Sequence, residues 1–161
     1  MTARRQRYDS GGIRSHGGRS VGTVLIVANQ TLPSSALADA IAERIRAGVR
    51  SFHVVVPASP VAHGLTWDED ESQREAAARL EKLIGRLKAQ GVEADGEVGD
   101  RDPVSAVHDA LRGREVDEVV LSTLPPGISR WLGQDVPSRL RGAVNVPVDV
   151  VYEKAATPSG R

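Results

Sequence analysis

Val24-Leu25-Ile26-Val27-Ala28 is an unbroken apolar run bounded by polar residues. A strand exposed on one face alternates apolar and polar residues. A run with no alternation suits a parallel strand buried on both faces. The neighbouring segments repeat this theme. Pro33-Ser34-Ser35 opens a predicted helix with Leu37, Ile41, Ile45 and Val49 on one face and Gly48 near its end. Phe52 to Val56 is a second apolar run, closed by Pro57. A long helix is predicted from Glu69 to Gln90, with Ala77, Leu80, Ile84 and Leu87 as its core stripe and Gly91 as its stop. Val92, Ala94, Gly96 and Val98 alternate with Glu93, Asp95 and Glu97, the pattern of a half-exposed edge strand. Asp102-Pro103 marks a helix start, with Val104, Val107 and Leu111 facing inward. Val116 to Leu121 and Val146 to Val151 read as the fourth and fifth strands, separated by a helical stretch containing Trp131, Leu132 and Leu140. Strands alternating with helices predict an α/β fold: one open, doubly wound, five-stranded parallel sheet with helices on both faces.

Composition sets the outer bounds. A chain of 161 residues is about one domain. Lys plus Arg and Asp plus Glu total 21 each, so no basic field points to nucleic acid. Aromatic residues are 3%, too few for base-stacking platforms. With no cysteine, disulfides, thiolate catalysis and sulfur-ligated metals are excluded. No apolar run reaches membrane-spanning length. The expectation is a soluble, cytoplasmic protein without a membrane or nucleic-acid partner.

The first twenty residues hold Arg4, Arg5, Arg7, Arg14 and Arg19 against a single Asp9, with few apolar side chains among them. They read as a disordered basic arm, residues 1–20, because so little burial cannot offset the entropy of ordering. No apolar core follows the arginines, as a secretory signal would require. Residues 154–161 read as a second disordered tail. The domain is expected over 21–153.

In a sheet of this kind, ligands bind beyond the carboxyl ends of the strands, where the strand order reverses. The loops there begin at Ala28-Asn29-Gln30 and at Ser122-Thr123-Leu124-Pro125-Pro126-Gly127. Three stretches, VLIVANQTLPSSAL from Val24, EVGDRDPVSAVHDAL from Glu97, and DEVVLST…GISRWLGQDVPSRL…VNVPVDVV from Asp117, occur in an order and spacing that resembles the universal stress protein family. The resemblance spans roughly Thr23 to Tyr152. It implies the strand order 3-2-1-4-5, a role in stress response, and pairing of two copies through the strand Val146–Tyr152. Pro147 near the start of that strand suits an edge.

Members of that family that bind ATP carry an aspartate after the first strand and the pattern G-x2-G-x9-G-[ST] from the fourth strand into the last helix. Glycine admits phosphate close to the backbone, and a helix N-terminus supplies free N–H groups. Here Asn29 replaces the aspartate, Leu121 and Leu124 the first two glycines, Gln134 the third, and Asp135 the hydroxyl residue. Gly127 matches a more peripheral glycine. Asp135 is expected to cap the last helix with its own carboxylate and so to occupy the donors that phosphate would use. Pro137 removes one N–H outright. The candidate crevice residues are therefore Ala28, Asn29, Val56, Ser122, Thr123, Gly127 and Asp135, in a site expected not to hold ATP tightly. The alternative is a nucleotide-binding member taking ATP or AMP, with weak or no ATPase activity, its phosphates held by Ser122, Thr123 and Gly127. A third reading is a sensor of another small molecule in a crevice made more apolar by Leu121 and Leu124.

Other features have simpler accounts. Asp68-Glu69-Asp70-Glu71 complements a helix dipole, since consecutive helical residues diverge and cannot converge on a metal. His53, His63 and His108 share no metal-ligand spacing and read as packing or surface residues. Ser34-Ser35 lacks the surroundings of a nucleophile elbow and reads as a cap. Trp131 reads as a packing anchor, and Arg130, Arg139 and Arg141 as solvated charge. No acid–base pair or activated nucleophile is visible, so neither an enzyme nor a bound metal or cofactor is expected.

Overall fold

The computed structural model describes residues 22–28, 35–58, 69–123 and 135–153. Its strands are β1 (Thr23–Ala28), β2 (Ser51–Pro57), β3 (Glu93–Gly99), β4 (Glu118–Thr123) and β5 (Val148–Tyr152). Its helices are α1 (Ser35–Arg46), α2 (Glu69–Ala89), α3 (Pro103–Leu111) and α4 (Val136–Ala143). The strands form one five-stranded sheet in the order β3-β2-β1-β4-β5. Every pairing is parallel. The predicted architecture is the observed one.

The apolar runs fall where burial demands them. β1, β2 and β4 are the inner strands, and Leu25, Ile26, Val54, Val55, Val119 and Val120 are all buried. Successive residues then serve opposite faces. Val24, Ile26, Phe52, Val54 and Val120 pack with Leu37 and Ile41 of α1 and Ala76, Leu83 and Leu87 of α2. Leu25, Val27, Val55, Val119 and Leu121 pack with Ala106, Val107 and Ala110 of α3 and Val136 and Leu140 of α4. The result is three layers, with α1 and α2 on one face and α3 and α4 on the other.

Several local readings shift. The buried stripe of α2 is Ser72, Ala76, Leu83 and Leu87. Leu80 and Ile84 pack beside it only partly buried, and Ala77 stands off the stripe. β4 and β5 each start two residues later than their apolar runs suggest. Val116 and Val146 instead pack partly buried against the α3–α4 cluster. Pro147 therefore immediately precedes β5 rather than lying within it. Gly91 ends α2 at φ +85°, a left-handed conformation that a side chain would oppose.

Asp102 caps α3, accepting from the Ser105 N–H at 2.9 Å, with Pro103 as the first helical residue. On the opposite face, Arg44 of α1 reaches into the sheet. Its Nε donates to Glu118 Oε1 at 3.1 Å, and its Nη2 to Glu118 Oε2 at 2.5 Å and to Asp149 Oδ2 at 2.8 Å. One guanidinium thus ties α1 to both β4 and β5. The hydrogen bond to Glu118 raises the Arg44 pKa; burial opposes it, and Asp149 adds to the rise.

Candidate functional site

The winding reverses between β1 and β4. From β1 the chain runs outward through β2 and β3, then returns past β1 to build β4 and β5. The crevice of such a fold lies beyond the carboxyl ends of those two strands. Ala28 ends β1 and pairs with Ser122 in β4. Val56 lies one step past Val55, the partner of Val27. Ala28, Val56, Ser122 and Thr123 are thereby brought to one end of the sheet, and all four are buried. Ser122 shares the α1–α2 face with Ala28, whereas Thr123 turns to the α3–α4 face. Asn29 and Gly127 lie outside the described residues, as do Leu124, Trp131 and Gln134.

A residue that the sequence reading passed over completes this floor. Glu153 directly follows β5 and is 1% exposed. Its N–H donates to the Thr123 carbonyl at 2.7 Å, extending the β4–β5 pairing by one step. That step swings its carboxyl group beneath Ser122, whose hydroxyl donates to Glu153 Oε2. The reversal point therefore holds a buried acidic side chain that already uses the Ser122 hydroxyl as a donor. A legible signal did exist, since an acidic residue directly after the last strand stands at the carboxyl edge of the sheet. Only the register of β4 with β5 places it beside Ser122.

Asp135 departs from expectation. It occupies the N-cap position of α4, and its carbonyl accepts from the Arg139 N–H at 3.0 Å. Its side chain makes no cap hydrogen bond. Capping side chains reach the helix amides from extended backbone, but Asp135 sits at φ 57° and ψ 39°. The left-handed turn carries the carboxylate away from those amides. Pro137, in the first turn, does lack an N–H. Leu121 is fully buried and packs in the cluster that holds Ala106, Val107 and Ala110 of α3 and Val136 and Leu140 of α4.

The remaining candidates resolve into supports. Glu69, Asp70 and Glu71 form the first turn of α2, as the dipole reading expects. Arg139 donates to Asp102 Oδ1 at 3.2 Å, and Arg141 to the Val148 carbonyl at 3.2 Å. These two arginines fasten α4 to the start of α3 and to β5. Burial pushes the Asp102 carboxyl upward, but hydrogen bonds from the Ser105 N–H and hydroxyl and from Arg139 outweigh it and hold it below the usual range. His53 is buried in β2, and His108 is exposed on α3. His63, Asp68, Ser34 and Arg130 lie outside the described residues. Among the described residues no three His, Cys, Asp or Glu side chains form a metal site, and no helix is long and apolar enough to cross a membrane.

No protein-family model and no curated protein matches the chain. Solved structures do. A protein from the universal stress protein family of Burkholderia pseudomallei superposes with a TM-score of 0.55 at 17% identity, covering 83% of this chain and 98% of that one. A universal stress protein from Archaeoglobus fulgidus superposes with a TM-score of 0.53 at 20% identity, covering 80% of this chain and 93% of that one. The likeness is one of fold, and it extends over nearly the full length of both structures.

Proposed function

We propose that this chain is a diverged universal-stress-protein-like module of the cytoplasm that binds or regulates in stress response, catalyses nothing itself, and does not hold ATP tightly. The Ser122–Glu153 pair carries the reading about ATP. Phosphate oxygens need donors, and at the reversal point the Ser122 hydroxyl is engaged by an acidic residue that is itself an acceptor. Pro137 takes a further donor from the first turn of α4. A small ligand that does occupy the crevice meets Ala28, Val56 and Ser122 as its floor.

The second reading, a nucleotide-binding module taking ATP or AMP, is favoured by one observation. The Asp135 side chain makes no cap hydrogen bond, so it does not itself occupy the α4 amides. A thermal melt with and without millimolar ATP, AMP and magnesium separates the two. A ligand at a hundredfold above Kd adds about 2.7 kcal/mol. For a chain of this size that raises the midpoint by roughly 5–10 °C. No shift is expected. A shift of that order overturns the proposal and establishes the second reading.

The proposed module is a homodimer that joins two sheets along β5. In support, β5 is an outer strand, and Tyr152 on it is a large hydrophobic residue that stands 48% exposed. Light scattering on Val150→Pro tests this. The expected result is a monomer that remains folded by circular dichroism, and a folded dimer would place the interface elsewhere.

A further inference from the structure

His53 is the buried titratable side chain in β2 that the crevice does not use. It is 2% exposed and faces the side of the sheet that α3 covers. Its Cα partner in β3 is Asp95. Its ring lies between two acidic side chains of that edge strand, with Nδ1 2.7 Å from Asp95 Oδ1 and Nε2 2.9 Å from Glu97 Oε1. Both acids are open to water on their outer sides, at 66% and 40% side-chain exposure. The other charge within reach is Arg114, in the segment after α3, 3.8 Å from Asp95 Oδ2. β1 places apolar Leu25 beside the ring, and α3 turns Ala106, Val107 and Ala110 towards this face.

Donor counting decides what this arrangement can do. A neutral imidazole has one N–H and one lone pair, so it donates to Asp95 or to Glu97 but not to both. The other acid would then face a lone pair across a distance set for a hydrogen bond. The imidazolium donates to both at once. We propose that His53 is a proton-operated clasp on β3: the charged ring fastens the edge strand at two points, and loss of the proton releases one of them.

The device has consequences for the sheet edge. β3 has a hydrogen-bonded neighbour on one side only, β2. Its side chains are Glu93, Ala94, Asp95, Gly96, Glu97, Val98 and Gly99, which bring little apolar surface to hold it down. The two contacts to the ring therefore add to the pairing with β2 and to the packing of Ala94 and Val98 in fixing the strand. The ring's charge state sets how readily the backbone of β3 opens to water.

The test uses the full chain. Nitrogen NMR of the His53 ring and amide hydrogen exchange of residues 93–99 are followed together as the pH is raised from about 5 until the ring gives up a proton. Exchange is corrected for its intrinsic pH dependence. The expected result is protons on both ring nitrogens at the acidic end, and β3 exchange that rises about tenfold as the ring loses one, the worth of one hydrogen bond to a charged group. In His53→Gln this pH response disappears. Glu97→Gln is the more telling variant, because an amide N–H can donate to the neutral ring's lone pair. It should keep β3 protected across the whole range, and its partly exposed site keeps the fold safe if His53→Gln does not fold. Wild-type β3 exchange that ignores the ring's protonation overturns the proposal. So does a Glu97→Gln variant with the wild-type pH response.

Discussion

Replacing Arg44 with methionine keeps the aliphatic stem of the side chain and removes its charge, which isolates the ion cluster that ties α1 to the sheet. The cost follows from how much water reaches each limb. The Arg44 side chain is 13% exposed, Glu118 27% and Asp149 50%. The Asp149 limb resembles a surface pair, worth about 0–1 kcal/mol. The Glu118 limb is bidentate and mostly shielded, and breaking a fully buried pair costs about 3–5 kcal/mol. Water that still reaches Glu118 hydrates the stranded carboxylate and lowers that figure. The Ala40 carbonyl, which accepts from Arg44 Nη1 at 3.0 Å, lies in the helix and keeps its backbone partner. The sum is a loss of about 2 kcal/mol, or a fall in melting midpoint of roughly 4–8 °C for a chain of this size.

Urea unfolding is the suitable assay, because guanidinium salts would screen the pair being measured. The midpoint should fall with an unchanged slope, the sign of lost stability rather than altered compactness. Glu118→Gln and the double variant complete a cycle whose coupling energy should exceed about 1 kcal/mol. A single-variant loss below about 0.5 kcal/mol, or a coupling near zero, refutes the reasoning and makes the cluster a solvated surface contact.

Substitutions at three further positions test other supports of the fold. Gly96→Ala should cost about 1–3 kcal/mol in urea unfolding, since the added Cβ would lie 2.4 Å from the Val54 carbonyl oxygen and 2.6 Å from Leu80 Cδ1. Asp102→Ala should lose about 1 kcal/mol as its cap is removed. Because the folded Asp102 carboxyl is held below its ordinary value, its ionic contribution is present above the unfolded carboxyl's titration near pH ~4 and is lost as pH falls through the folded value. Asp102→Asn, which retains a cap but not the charge, should abolish that acid-side dependence and lower stability at neutral pH by less than Asp102→Ala does. Asp135→Gly should raise stability by up to about 1 kcal/mol, because glycine accepts φ 57° without the cost that a side chain meets there. A neutral or destabilising result would show that the aspartate side chain supports the turn.

The sequence discloses the fold where burial leaves no choice. β1, β2 and β4 are covered on both faces, so most of their positions carry apolar residues and the runs are unmistakable. The α2 stripe is less legible because Ala76, Ala77 and Ala78 offer no contrast, and a buried Ser72 does not advertise itself. At the reversal point, Ala28, Val56, Ser122 and Thr123 could be named from the ends of their strands. The place of Glu153 beside Ser122 could not, because the last residue of the expected domain is buried there only through the pairing of β4 with β5 across a long sequence separation. Asp135 shows the opposite error. Asp-Val-Pro is a sound capping sequence, yet the cap depends on the backbone angle of Asp135 itself, which the residue type does not specify. His53 reads from the sequence as a packing or surface residue; it is buried, and its two acidic neighbours emerge only from the register of β2 with β3.

The separation of core from crevice bears on how a nucleotide site could be lost while the fold persists. The two buried clusters draw mainly on side chains within the sheet and on inward helix faces, and the polar groups at the reversal point contribute little to them. Leu121 illustrates the point. It stands where the resemblance would place the first phosphate-binding glycine, yet its side chain vanishes into the core beneath α3 and α4. It therefore contributes to packing. In the proposed reading, phosphate is opposed by groups at the crevice end, namely the Ser122–Glu153 pair and the missing donor at Pro137. Those groups alter donors and charge without altering the sheet. A chain can exchange them at small cost in stability, which is why a shared fold by itself does not carry a shared ligand.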